Sequence, residues 1–137
     1  MTKLKDIPVT LESHLNALPD LPPTAWPNAP AFDFEADTLY LRPQISVGRN
    51  AAIGTADSDS SLHNGMYQID IFIPKGVGVK IGVDEAQRIA DHFPKGLELN
   101  TTAGKLKISN ADIESSGTNL GSHYQISLLI SYTTVIS

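Results

Sequence analysis

Apolar and polar residues alternate most regularly between residues 65 and 76, which predicts a half-buried β-strand at the centre of the chain. One face of this strand carries Tyr67, Ile69, Ile71 and Ile73. The opposite face carries Gln68 and Asp70. Asn64-Gly65 indicates a turn before the strand, and Pro74 ends it because proline cannot donate a hydrogen bond to a sheet.

The same alternation predicts three further strands. Residues 38–47 form the first, and Pro43 places it at a sheet edge or at a bulge. Residues 106–113 form another, with a turn or bulge near Asn110. Residues 124–133 form the last predicted strand.

Two stretches have the apolar spacing of amphipathic helices. Residues 7–18, with Asp6 as N-cap, place Ile7, Leu11, Leu15 and Leu18 along one side. Residues 83–93 bury a stripe formed by Val83, Ala86, Ile89, Ala90 and Phe93. The exposed side of this second helix carries Asp84, Arg88 and His92 at i,i+4 spacing.

Two connecting segments have distinct compositions. Five prolines between residues 19 and 30 predict a stiff, extended connector, which Trp26 pins to the core. Residues 49–64 show neither periodicity and are small and polar, so they predict a long loop that is either functional or disordered.

Strands with one apolar face, together with two helices, predict an α+β fold. We expect a two-layer sandwich, in which a mainly antiparallel four- to five-stranded sheet carries both helices on one face. The 137 residues fit one domain, with the helix and proline-rich connector in residues 1–23. Six residues are the expected structural anchors: Trp26, Tyr67, Ile69, Ile71, Phe93 and Tyr124.

The composition of the chain argues against several classes of function. The net charge of −5 argues against a protein that holds nucleic acid through phosphate contacts. The absence of cysteine excludes disulfides, thiolate catalysis and cysteine-ligated metals. No secretory signal and no apolar run long enough to span a membrane are present, so we expect a protein made and used in a cytoplasm.

Motifs for catalysis or cofactor binding are weak. Gly76, Gly78 and Gly82 lie between a strand and a helix, but Ile81 occupies the third glycine position of a dinucleotide fingerprint. Residues 57–61 begin like a calcium loop, yet lack its glycine and its final glutamate.

The titratable side chains give no catalytic pattern either. The four histidines lie in separate elements without a metal-binding partner at i+4, and we interpret each as a satisfied surface residue. Asp70 is interpreted as structural, pairing across the sheet or with a neighbouring subunit. We therefore predict no enzyme activity, no cofactor and no metal.

Six motifs, in this order and spacing, resemble the tail-terminator-like proteins of long-tailed bacteriophages (minor tail protein U-like). They are Thr24-Ala25-Trp26-Pro27-Asn28, Leu39-Tyr40-Leu41-Arg42-Pro43, the strand at 65–76, Phe93-Pro94-Lys95-Gly96, Gly104-Lys105-Leu106-Lys107-Ile108 and His123-Tyr124-Gln125-Ile126. The resemblance covers residues 24–134.

This resemblance implies a structural virion protein of the tail, assembled in the host cytoplasm. Such proteins form a six-fold ring on the head-proximal end of the tail tube, stop its polymerisation and offer a docking face to head-completion proteins. The implied partners are copies of the same chain, the tail tube protein and neck proteins, with no membrane. An acidic ring lets DNA pass without specific binding, because like charges repel phosphate. The expected interface residues are Arg49, Asp57, Asp59, His63 and Asp70.

Two alternatives remain at this stage. The first is another phage neck or minor-tail adaptor on the same fold, since fold does not determine function. The second is a small ligand-binding module or enzyme that uses the glycine-rich turn at residues 76–82. A ligand-induced rise in melting temperature would favour the second alternative.

Overall fold

A computed structural model describes residues 5–27, 38–52, 61–101, 104–119, 121 and 123–136. In these ranges the chain forms, in order, α1 (Asp6–Asn16), β1 (Tyr40–Ala52), β2 (Ser61–Pro74), α2 (Lys80–His92), β3 (Glu98–Asn100), β4 (Lys105–Asn119) and β5 (His123–Ile136). The strands build one antiparallel sheet in the order β1-β2-β5-β4-β3, and the helices join the same hydrophobic core. The predicted α+β fold is confirmed.

The predicted central strand lies inside the sheet, as β2. Its alternating apolar residues are buried between the sheet and the helices, and the pairing with β5 runs from Ser61↔Ile136 to Pro74↔His123. The turn predicted at Asn64-Gly65 is wrong, because both residues lie within β2. Gly65 faces Tyr132 across the sheet, and the tyrosine ring occupies the space that a Cβ at residue 65 would need.

The loop predicted at residues 49–64 is wrong at both ends. β1 continues to Ala52 and β2 begins at Ser61, so the hairpin pairs Arg49↔Asn64 and Ala52↔Ser61 after a bulge between Ser46 and Arg49. These polar residues lie in strands because β2 is hydrogen-bonded to β5 on its other side. This pairing keeps the residues in the sheet although their side chains do not favour a strand. Residues 53–60 lie outside the described residues.

The strand predicted at residues 106–113 is confirmed as part of β4, and its register shifts between Ile108 and Asn110 as expected. β4 continues to Asn119, six residues beyond the predicted end at Ile113. The three-residue strand β3 was not predicted, because three residues are too few to show an alternation.

The apolar stripe predicted for α1 is confirmed, since Ile7, Leu11, Leu15 and Leu18 are all buried. The helix begins earlier than expected: Lys5 is the N-cap, without a side-chain cap, and Asp6 lies in the first turn. An acidic residue there interacts favourably with the helix dipole. No helix in the described ranges is long and apolar enough to cross a membrane.

α2 begins at Lys80, three residues before the predicted start, and its buried face differs from the prediction at one position. Val83 is 40% exposed, and Gly82 is buried in its place against the side chains of Ile73 and Ile126. A glycine at this position lets the helix approach the sheet closely. The rest of the stripe, Ala86, Ile89 and Phe93, is buried as expected, with Ala90 packed beside it.

The connector after α1 is anchored to the edge of the sheet. The backbone N–H of Leu41 donates to the carbonyl of Pro23 (2.9 Å), and the N–H of Ala25 donates to the carbonyl of Leu41 (2.8 Å). Trp26 is half-buried and packs against the core, as expected for an anchor. Residues 28–30, the end of the predicted connector, lie outside the described residues.

The close approach of Gly65 to Tyr132 gives a test of the sheet register. Gly65→Ala would force the buried Tyr132 ring to move, so we expect a loss of about 1–3 kcal/mol in the free energy of unfolding. Denaturant unfolding measures this loss, with Ser131→Ala on the opposite face of the neighbouring strand as control. An unchanged unfolding midpoint in Gly65→Ala would contradict the register.

Candidate assembly surfaces

A network of side chains converges on Asp70 on the outer face of the sheet, the face away from the helices. Ser127 of β5 donates to Oδ1 of Asp70 (2.8 Å), as does Gln68 of β2 (2.7 Å), and Gln44 of β1 donates to Oδ2 (3.2 Å). Asp70 is 2% exposed. The expected pairing of Asp70 across the sheet is therefore present, and it ties β1, β2 and β5 together.

This network is built for holding a carboxylate rather than for chemistry. Its donors are two amides and a hydroxyl, none of which ionises near neutral pH. No group of three histidine, cysteine or carboxylate side chains that could hold a metal occurs in the described part of the chain. The arrangement makes the centre of the outer face rigid.

A second cluster covers the end of the outer face where β1 and β5 begin. The rings of Tyr40 and Phe72 stack with centroids 4.5 Å apart, and His123 meets Tyr40 edge to face at 5.1 Å. The His123 ring is held by a hydrogen bond from Nε2 to the carbonyl of Thr38 (2.9 Å). All three rings are buried, so this part of the outer face is not a bare polar surface.

His14 and His92 clamp the two helices together at their C-terminal ends. Nε2 of His14 donates to the carbonyl of His92 (2.5 Å), and Nε2 of His92 donates to the carbonyl of His14 (2.6 Å). The two rings stack with centroids 3.9 Å apart. Both acceptor carbonyls lie in the last turns of their helices, and that of His14 also accepts a hydrogen bond from the N–H of Ala17 (3.2 Å).

Arg88 adds a second contact between α2 and the chain after α1. It donates to the carbonyls of Pro19 (2.5 Å) and Asp20 (2.9 Å) and is paired with Glu85 (2.6 Å). The prediction that Arg88 and His92 lie on a free face is therefore wrong, and only Asp84 of that group is exposed. The prediction of surface histidines is also wrong, because His63 and His123 are buried and the other two are half-buried.

An exposed apolar segment follows β2. Residues 76–83, here called the apolar turn, expose Val77 (56%), Val79 (49%), Ile81 (48%) and Val83 (40%). A cleft of about 230 Å³ lies beside it, lined in part by Pro74, His123 and Tyr124. Four neighbouring exposed apolar side chains are typical of a surface that another protein covers.

The expected interface residues lie in different environments. His63 is on the helix-covered face, 6% exposed, with Nε2 3.3 Å from the hydroxyl of Tyr132. Asp70 is buried in its network, and Arg49 pairs through β1 with Asn64. Asp57 and Asp59 lie outside the described residues. Their roles in an interface stay predictions.

The expected anchors are placed in or against the core. Tyr67, Ile69, Ile71 and Phe93 are at most 1% exposed, and Tyr124 packs half-buried against them. Burial, with a smaller contribution from the nearby Glu12 carboxylate, raises the pKa of Tyr67 well above its ordinary value. Among the described residues the Tyr67 hydroxyl has no hydrogen-bond partner.

The contrast between the two buried tyrosines gives a stability prediction. We expect Tyr67→Phe to be neutral or to stabilise the fold by up to about 1 kcal/mol, because it removes a buried hydroxyl that no described side chain compensates. Tyr132→Phe should cost about 1 kcal/mol, since it deprives His63 of a partner. Denaturant unfolding measures the free energy of unfolding of both variants. Equal losses in the two variants would contradict the predicted difference between the tyrosines.

The histidine clamp predicts a pH dependence. Burial lowers the pKa of His14; the hydrogen bond to His92 opposes this shift, and the charge of His92 adds to it. As the pH falls below the usual pKa of 6.5, the unfolded chain takes up its proton first, so the free energy of unfolding decreases until the pH reaches the folded pKa.

We expect His14→Gln, whose amide can donate in place of Nε2, to lose less stability than the wild type between pH 7 and pH 5. Denaturant unfolding over this pH range measures the difference. Burial also lowers the pKa of His63, so part of the pH dependence of stability remains in His14→Gln. His63→Gln, the matched control, measures that remaining part. Identical pH profiles in His14→Gln and the wild type would contradict the assignment.

Comparison with known proteins agrees with this geometry. One solved structure superposes with a TM-score of 0.70 at 18% identity, covering 94% of this chain and 90% of its own, which shows a shared fold. No curated protein sequence matches the chain significantly. The profile of the phage tail terminator protein family matches residues 6–132, from the first turn of α1 nearly to the end of β5. The chain belongs to the phage tail terminator protein family.

Proposed function

We propose that this chain forms a ring on the head-proximal end of the phage tail tube, where it ends tube polymerisation and presents a docking surface to head-completion proteins. The observation that carries the proposal is the family match across nearly the whole chain. A member of this family is a structural component of the phage tail and associates with other tail and virion proteins.

The physical properties of the chain support a ring subunit. The sheet is cross-linked on its outer face by the Asp70 network and its helices are clamped by His14 and His92, so a subunit keeps its shape while its loops contact neighbours. The net charge of −5 suits a ring through which DNA passes, because an acidic wall repels phosphate. We propose a hexamer in the assembled tail.

The apolar turn is the candidate contact with a virion partner. Its exposed side chains lie at the end of the sheet where β2 ends and β5 begins, so a partner approaching along the strands meets them first. Burying such side chains stabilises a complex, whereas leaving them in water brings no benefit to the isolated subunit.

Tail-tube assembly tests the proposed function. Cognate tubes are grown with and without the protein, and their lengths are measured by negative-stain microscopy. We expect tubes of uniform length with a ring on one end when the protein is present. Tubes that keep growing would refute termination and would direct attention to a role as a neck adaptor, which binding to heads then tests.

A charged substitution in the apolar turn tests the partner contact. Val79→Asp places a carboxylate where α2 begins, which the helix tolerates, but it charges the proposed contact surface. We expect about tenfold more protein to be needed for the same tube-length distribution, because about 1.4 kcal/mol of contact energy is lost. Val9→Asp, which charges another exposed valine (64% exposed, against 49% for Val79) on α1, is the control. Equal capping by both variants would exclude the apolar turn from the contact.

A further inference from the structure

The two edges of the sheet carry opposite charges. On one side, residues 42–52 of β1 contain Arg42 and Arg49 and no acidic residue; we call this segment the basic edge. On the other side, residues 109–119 of β4 contain Asp112 and Glu114 and no basic residue; we call this segment the acidic edge. Two of the three arginines in the chain therefore lie on one edge strand.

Among the described residues, no strand lies on the outer side of the acidic edge. β3 pairs only with residues 105–107 of β4, and the next contact is the exchange of hydrogen bonds between Ile108 and the Gly96–Leu97 segment. Past Ile108, the described residues provide no strand beside β4 on this side. Asp112 and Glu114 are both exposed.

Among the described residues, the connector covers β1 just before the basic edge begins. The connector occupies the outward N–H and carbonyl of Leu41, and the next outward-pointing position is Pro43, which has no N–H. From Ile45 onward no described strand lies beside β1 on this side. Arg42 is exposed, with its guanidinium carbon 4.9 Å from the centre of the Phe72 ring.

These exposed charges form no ion pair within the described part of the subunit. Neither Arg42 nor the two carboxylates of the acidic edge appear in an ion pair among the described residues, where the ion pairs are Lys80–Asp84 and Arg88–Glu85. Asp112 accepts one hydrogen bond, from Asn110 (2.7 Å), which leaves its charge in place. Opposite charges on opposite edges cannot meet within one copy, but they can meet between two.

We propose that the basic edge of one copy docks against the acidic edge of the next, so that the ring is closed by head-to-tail contacts between sheet edges. This inference rests on the proposed ring and names its subunit interface. Contacts between two different patches close into a ring when the rotation between copies is suitable. Exposed strand edges favour such pairing, because each presents unpaired backbone donors and acceptors.

Strand directions are compatible with this arrangement. Successive strands in the order β1-β2-β5-β4 are antiparallel, so β1 and β4 of one copy run in opposite directions. Rotation about an axis along the strands keeps these directions, and β1 of one copy then lies antiparallel to β4 of the next. Pro43 and the connector restrict backbone pairing to residues from Ile45 onward, which limits the possible registers.

Charge reversal on each edge gives a sharp test. One variant carries Arg42→Glu and Arg49→Glu, which makes both of its edges acidic. The other carries Asp112→Arg and Glu114→Arg, which makes both of its edges basic. Each variant alone then brings like charges together, and we expect its association to weaken by at least about tenfold. Sedimentation velocity over a concentration series measures the association in solution. Negative-stain microscopy shows whether rings form on tube ends.

The mixture of the two variants is the decisive sample. Each contact in an alternating ring pairs an acidic edge with a basic edge, so we expect assembly to be restored with the two variants in equal amounts, as counted by native mass spectrometry. Matched controls change the net charge by the same amount elsewhere: Lys5→Glu with Lys95→Glu, and Asp84→Arg with Asp91→Arg. These controls should assemble like the wild type, and circular dichroism checks that all variants fold.

The outcomes separate this inference from the proposed function. If wild-type rings form and the edge variants form them equally well, or if the mixture fails to restore assembly, the edge contact is overturned while the ring stands. If the wild type neither associates in solution nor forms rings on tube ends, both the ring and the edge contact are refuted.

Discussion

The register between β2 and β5 is the constraint on which the rest of the structure depends. The two strands pair residue by residue from Ser61↔Ile136 to Pro74↔His123, which brings Ile69 opposite Leu128 on the core side and Asp70 opposite Ser127 on the outer side. A shift by one residue would exchange these faces, placing the carboxylate under the helices and the isoleucines in water. Core packing and the outer polar network therefore depend on the same pairing.

This constraint explains which parts of the fold could be predicted. Period-two alternation identified β2 from residue 65 onward, most of β5 and the bulged start of β4, because apolar side chains line the buried face of these stretches. It failed for residues 49–52 and 61–64, where polar side chains lie in strands that are held by pairing rather than by burial of an apolar face. It also misassigned Gly65, whose small size matches the Tyr132 ring opposite and signals no turn.

The candidate surfaces were less predictable, because they are formed by contacts between distant parts of the chain. His14 and His92 are 78 residues apart, and each looks like a solvated residue until the two helix ends are placed side by side. Arg88 donates to two backbone carbonyls just after α1, and such backbone partners cannot be recognised from the side chains in the sequence. By contrast, Asp70 could be recognised as structural, because a carboxylate alternating with isoleucines must face the other side of the sheet.

The charge asymmetry shows how topology gives meaning to residues that composition does not distinguish. Along the chain, Arg42 and Arg49 precede a polar segment, and Asp112 and Glu114 follow a bulge; neither pair forms a recognisable motif. The strand order places the first pair on one edge and the second on the other. In the proposed ring, each copy meets the charges of its edges with the opposite charges of its neighbours, and no edge is left unpaired.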